Sequence, residues 1–195
     1  EIAWHENDGS GPHARSVITA TAKGPQSIDV RDIDGDGDLD VVAANMNSTD
    51  EISWYQNDGS GSFTPHGITT AVDNAYSVYA VDVDSDGDVD VVSASHNDNQ
   101  IAWFENDGSE TFAHHTITLN ADGAWAVFAV DLDGDGDVDV LSASYEDDKI
   151  AWYENLGSEV FAEQVITTTV TRATDVYAVD LDHDGDIDVL PGSQL

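Results

Sequence analysis

An all-β fold, a β-propeller built from four-stranded blades of about 49 residues, is what this sequence predicts. Three observations carry the expectation. A tryptophan phrase recurs at a near-constant offset, an aspartate-rich run recurs in step with it, and β-branched residues crowd the segments between without any helical period.

The tryptophan phrase reads Ile2-Ala3-Trp4, then Ile52-Ser53-Trp54, Ile101-Ala102-Trp103 and Ile150-Ala151-Trp152, at offsets of 50, 49 and 49. Behind each copy stands a turn signal: Asn7-Asp8-Gly9, Asn57-Asp58-Gly59, Asn106-Asp107-Gly108 and the degenerate Asn155-Leu156-Gly157. Asn-Asp-Gly tolerates positive φ and marks a hairpin. In the third copy the apolar segments 125–130, 138–144, 149–154 and 161–167 read as four strands, with the aspartate run between the first two. Three whole blades are expected at 25–73, 74–122 and 123–171, with half-blades at 1–24 and 172–195. The length falls one residue short of four 49-residue repeats, which predicts that the two halves complete each other, within one chain or between neighbouring chains. The chain opens on Glu1 and shows no signal peptide, so it is read as a mature or excised segment.

Charge narrows the partners. Forty acidic residues face five Lys plus Arg, a formal net charge of −35. Such a surface repels nucleic acid and anionic lipid, and no apolar run is long enough to span a membrane. Cations are the natural partners. Cysteine is absent, which excludes disulfides, thiolate metal sites and a cysteine nucleophile.

Half of the acidic residues sit in the four runs. These are Asp32, Asp34, Asp36, Asp38 and Asp40; Asp82, Asp84, Asp86, Asp88 and Asp90; Asp131, Asp133, Asp135, Asp137 and Asp139; and Asp180, Asp182, Asp184, Asp186 and Asp188. Five carboxylates in nine residues repel one another, and a hard divalent cation removes the conflict. Calcium takes six to eight oxygens in flexible geometry. One Ca2+ per repeat, four in all, is therefore expected. Gly37, Gly87, Gly136 and Gly185 hold the sixth position, where the chain must bend round the ion. An EF-hand needs Glu at the twelfth position, but Ala43, Ser93, Ser142 and Pro191 stand there, and the flanks read as strands. Side-chain ligands are assigned to the first, third, fifth and ninth positions, with the seventh (Asp38, Asp88, Asp137, Asp186) offering its carbonyl.

The pattern Asp-x-Asp-x-Asp-Gly-Asp-x-Asp, followed by Val-Val/Leu-Ser-Ala-Ser and Ile-Ala-Trp-Tyr-Glu-Asn, resembles the FG-GAP/VCBS-type repeat, a relative of the calcium loops in integrin α-subunit propellers. The resemblance covers essentially the whole chain. It implies a propeller with one calcium per blade, held in the hairpin between first and second strands. The integrin form differs: no Phe-Gly pair is present, and Ser93-Ala94-Ser95 replaces Gly-Ala-Pro. Adhesins, lectins and accessory domains of enzymes share such repeats, so fold alone does not assign a role.

The remaining residues read mostly as structure. The repeating tryptophans are expected between blades. Trp125, whose repeat partners are Gln26, Tyr76 and Thr174, opens an innermost strand and is a candidate ligand contact. Asp29 and Arg31 interrupt an inner strand where other copies carry Tyr79, Phe128 and Tyr177 or Val81, Val130 and Val179. His66 and His115 share an outer-strand position with Ser16 and Gln164 and read as surface, and His183 fills a variable loop slot. Asn47-Ser48-Thr49 matches a glycosylation sequon. No catalytic triad, phosphate loop or zinc spacing occurs. The expectation is a non-enzymatic extracellular module for binding or adhesion. Its alternatives are a lectin, and a filament subunit whose half-blades complete those of neighbours.

Overall fold

The computed structural model describes residues 1–9, 11, 13–46, 51–157 and 160–194. The sequon at Asn47-Ser48-Thr49 lies outside them. Three four-stranded antiparallel sheets follow one another: β3 (Pro25–Arg31) to β6 (Phe63–Thr69), β7 (Ala75–Val81) to β10 (Phe112–Thr118), and β11 (Ala124–Val130) to β14 (Phe161–Thr167). Between these bounds lie β4 (Asp40–Asn45), β5 (Glu51–Asn57), β8 (Asp90–Ser95), β9 (Gln100–Asn106), β12 (Asp139–Ser144) and β13 (Lys149–Asn155). A two-stranded sheet precedes them, β1 (Ile2–Glu6) with β2 (Ala14–Thr19), and another follows, β15 (Ala173–Val179) with β16 (Asp188–Ser193). Every sheet is a meander in chain order. Among the described residues no ladder joins β1 to β16, so the two half-sheets do not complete each other inside this chain.

Register is set by a period of two acting on both faces. The second strand of each whole sheet is buried along its full length, because neighbouring sheets cover it on both sides. Val42 and Ala44 face Val78 and Ala80 of the next sheet. Val92 and Ala94 meet Val127 and Ala129, and Leu141 and Ala143 meet Val176 and Ala178. Small residues on the receiving first strand, Ala80, Ala129 and Ala178, let the sheets approach. Two of the four repeating tryptophans pack between sheets as expected, Trp54 and Trp103 at 1% exposed, whereas Trp152 is half-buried and Trp4, in the first half-sheet, is 39% exposed.

One surface expectation needs correction. His66 and His115 stack on Trp54 and Trp103 with ring centroids 4.6 Å apart in both pairs. Each is half-buried, and each reaches across the hairpin to Gln56 or Glu105. The position lies on an outermost strand, yet the flat imidazole covers an indole that would otherwise meet water. Asp29 also has a role in packing: its Oδ2 accepts the Ala80 N–H at 2.8 Å, tying β3 to β7, while Arg31 lies over the Tyr79 ring.

Trp103→Ala should cost about 3–5 kcal/mol in chemical denaturation, whereas Val165→Ala, on a strand face open to water, should stay within about 0.5 kcal/mol.

Candidate metal centre

Each aspartate run forms the loop from the first strand of a sheet to the second, and all four loops fold alike. The first Asp accepts the N–H of the sixth-position glycine through Oδ2: Asp32 from Gly37 at 2.9 Å, Asp82 from Gly87 at 3.0 Å, Asp131 from Gly136 at 3.1 Å, Asp180 from Gly185 at 3.2 Å. The third accepts from the fifth, and the fifth from the seventh. Backbone donors hold both oxygens of Asp131 and Asp180, whereas in Asp32 and Asp82 they hold Oδ2 and leave Oδ1 without a partner. The glycine is required by conformation, not by space. Its φ lies between 97° and 101° in the four copies, and a Cβ there would touch nothing within 4 Å.

Carboxylate oxygens converge in every loop. Asp32, Asp34 and Asp36 each offer an oxygen within 4.8 Å of the others, as do Asp82, Asp84 and Asp86. In the third and fourth loops the converging groups are Asp131, Asp133 and Asp139, and Asp180, Asp182 and Asp188. The first and third positions are therefore common to all four clusters, the fifth joins in two, and the ninth in two. Oxygens bound to one calcium at about 2.3–2.6 Å can stand up to about 5 Å apart, so the spacing suits that ion. Buried orphans point the same way: Oδ1 of Asp32 and of Asp82 is shielded from water and has no hydrogen-bond partner. A purely oxygen donor set suits a hard cation. The first and third aspartates, with the fifth or ninth, would hold it, and its charge would cancel their mutual repulsion.

The seventh aspartates turn away. Asp38 and Asp88 press against Gly59 and Gly108 of the hairpin between third and fourth strands, so closely that a Cβ on either glycine would lie 2.3 or 2.4 Å from a carboxylate oxygen. Asp137 faces Gly157 in the same way at 3.6 Å. That hairpin glycine is thus read twice, by the turn and by the acid beside it.

A clamp that sequence reasoning missed lies at the ninth position. Oδ2 of Asp40, Asp90 and Asp139 accepts a loop N–H, from Ile33, Val83 and Leu132, at 2.9–3.0 Å. Oδ1 accepts the N–H of Asn57, Asn106 and Asn155, at the end of the third strand, at 2.7–2.8 Å. The asparagine side chain completes the knot, donating to the carbonyl of Leu39, Val89 or Val138 in its own sheet. Asn106 and Asn155 donate also to Ile33 and Val83 of the preceding repeat. These asparagines read in the sequence as turn formers only. Their strict repetition, even where Leu156 replaces the following Asp, was the available signal.

Trp125 stands at the mouth of an inner strand, as expected, but between two other rings. Tyr76 lies 4.2 Å away and Tyr145 stacks at 5.0 Å on it, with Arg172 beyond Tyr145. His96 adds a T-shaped contact with the indole at 5.8 Å.

Matches to a known repeat agree with this geometry. The model of the FG-GAP-like repeat matches residues 1–43, 32–93, 82–142 and 131–190. The chain belongs to the FG-GAP-like repeat family. The matched windows overlap on the aspartate loops, which places those loops at the joints of the repeat. No curated protein matches the chain. Among solved structures, the V. cholerae biofilm matrix protein Bap1 is similar in fold, with a TM-score of 0.50 and 19% identity over 87% of this chain. The match spans 28% of that longer protein.

Burial raises the carboxyls of Asp40 and Asp139 and pushes Asp90 up to about 7. A folded pKa above the unfolded one means that the folded state binds more protons between about 4 and 7, so stability falls as pH rises through that window. In chelator the protein should therefore melt at a higher temperature at pH 5 than at pH 7.5. Calorimetry at the two pH values checks this, and saturating calcium should shrink the difference.

Proposed function

We propose that this chain is a calcium-stabilised β-propeller that acts outside the cell as an adhesion or protein-interaction module, without catalysis. The observation that carries the metal part is the buried, unpartnered Oδ1 of Asp32 and Asp82 within converging carboxylates. Four equivalent loops at equivalent places suit reinforcement of a scaffold, whereas a reactive metal is usually unique. The propeller reading is supported by sheets that follow one another with inner strand against inner strand: Tyr79 on Phe128 at 5.0 Å, and Phe128 on Tyr177 at 4.8 Å.

The site of action follows from two supports. Millimolar free calcium, which extracellular sites need at dissociation constants of about 0.1–1 mM, is found outside cells. The similar fold in Bap1 belongs to a biofilm matrix protein. Among the described residues no helix is long and apolar enough to cross a membrane. Of the tryptophans a lectin could use, Trp54 and Trp103 are buried and Trp125 packs against Tyr76 and Tyr145.

Calcium at about ten times its dissociation constant adds roughly 1.4 kcal/mol per site. Four sites together should raise the melting midpoint by about 10–20 °C over chelator. An unchanged midpoint overturns the calcium reading. Gly136→Ala should remove about one quarter of that shift by straining a single loop. For the adhesion part, beads coated with the chain should stay on a bacterial biofilm in calcium and leave in chelator. Retention no better than that of bare beads overturns it.

A further inference from the structure

The geometry points to a third-strand residue as the determinant of calcium affinity in the first two whole sheets: Glu105 makes the second aspartate loop the tighter site, and Gln56, at the same place in the preceding sheet, makes the first the weaker. The inference rests on the calcium reading of the loops and deepens it, because it ranks two sites that their aspartates alone leave equal.

The first two loops are a matched pair. Their converging carboxylates hold the same first, third and fifth positions, Asp32, Asp34 and Asp36 in one and Asp82, Asp84 and Asp86 in the other. In both, Oδ1 of the first aspartate is buried without a hydrogen-bond partner, and its Oδ2 holds the sixth-position glycine. The fourth residue, Gly35 or Ser85, stands at positive φ in both. What differs is the side chain that approaches the third aspartate from the third strand.

In the first whole sheet that side chain is Gln56, on β5. Its Nε2 donates to Asp34 Oδ2, and its Oε1 meets His66 Nε2 at 3.2 Å. His66 in turn lies on Trp54. A short relay thus runs from the outermost strand to the loop, where it ends on a neutral amide donor. Asp34 is half-buried and has one oxygen satisfied by that amide.

Glu105 holds the same position on β9, and the relay starts as before. His115 lies on Trp103, and its Nε2 is 2.8 Å from Glu105 Oε2. At the loop, however, this relay ends on a carboxylate, which when ionised has no proton to give. The charge of Glu105 acts on Asp84 together with the charges of Asp82 and Asp86. Asp84 stands exposed, where Asp34 is half-buried. Glu105 is not one of the converging carboxylates itself, so its part is that of a charge beside the site.

Two effects of the exchange act in the same direction. An ion competes with the Gln56 amide for Asp34 Oδ2, whereas Glu105 offers Asp84 no such bond to lose. A divalent cation is also drawn to the additional negative charge, and the affinity of oxygen-lined calcium loops follows their charge count. In the third sheet Glu154 takes this place and accepts from Gln164 at 3.3 Å. Its loop gathers Asp131, Asp133 and Asp139, a different set, and so gives no matched comparison.

Calcium titration at pH 8, followed by nuclear magnetic resonance of the Gly37 and Gly87 amides, tests the assignment, because each glycine reports its own loop. Gly87 should respond at a calcium concentration about three- to tenfold lower than Gly37. Glu105→Gln keeps the shape of the side chain and a partner for His115. It should raise the Gly87 midpoint about three- to tenfold and leave the Gly37 midpoint in place. Glu105→Asp, which keeps the charge, should stay nearer to wild type. Gln56→Glu should lower the Gly37 midpoint by about the same factor. A Gly87 midpoint that is not below that of Gly37, or that ignores Glu105→Gln, overturns the assignment and leaves the calcium reading standing. Two glycines that both ignore calcium up to about 10 mM, well above the range of extracellular sites, overturn the calcium reading and this inference with it.

Discussion

The ninth aspartate of the first three loops is a buried carboxylate with two backbone donors, and much of the sheet architecture hangs on it. One oxygen ends the loop by holding its second residue, and the other ends the third strand by holding the asparagine N–H. Loop, second strand and third strand are thus fixed together at a point water does not reach. Taking a carboxylate from water is costly unless its lone pairs are satisfied. Here the backbone satisfies them, but burial still lifts the pKa of Asp90 well above that of an exposed Asp. A cation among the neighbouring acids would offset that penalty, because its charge would favour every ionised carboxylate in the loop. Loop chemistry and strand pairing are in this way one problem with one solution.

Strand type, strand order and loop position were legible before any coordinates. Period-two alternation and the repeated phrases determine them, and the expected segments of the third copy end within one residue of β11 to β14. What escaped was whatever depends on two repeats at once. Asn106 looks like a turn residue because its local role is a turn, while its amide reaches Ile33, 73 residues earlier. His115 looks exposed because its strand is outermost, yet the indole it covers belongs to the adjacent strand. Asp29 looks like an interruption of an inner strand until the N–H it accepts, on Ala80 of the next sheet, is seen. Spacing within one chain segment reveals neighbours along a strand or across a hairpin. It does not reveal which face of the next sheet will arrive.

The same distinction bears on the split repeat. The phase of the repeats, with third and fourth strands first and first and second strands last, was visible in the sequence. That the two halves stay apart required the fold, in which they sit on opposite ends of the stack and each covers only one neighbour. The β1–β2 pair packs through Ile2 and Ile18 on Val41 and Tyr55, while β15–β16 packs through Val176 and Ala178 on Leu141 and Ala143. Each half is therefore ordered by one seam and open at the other.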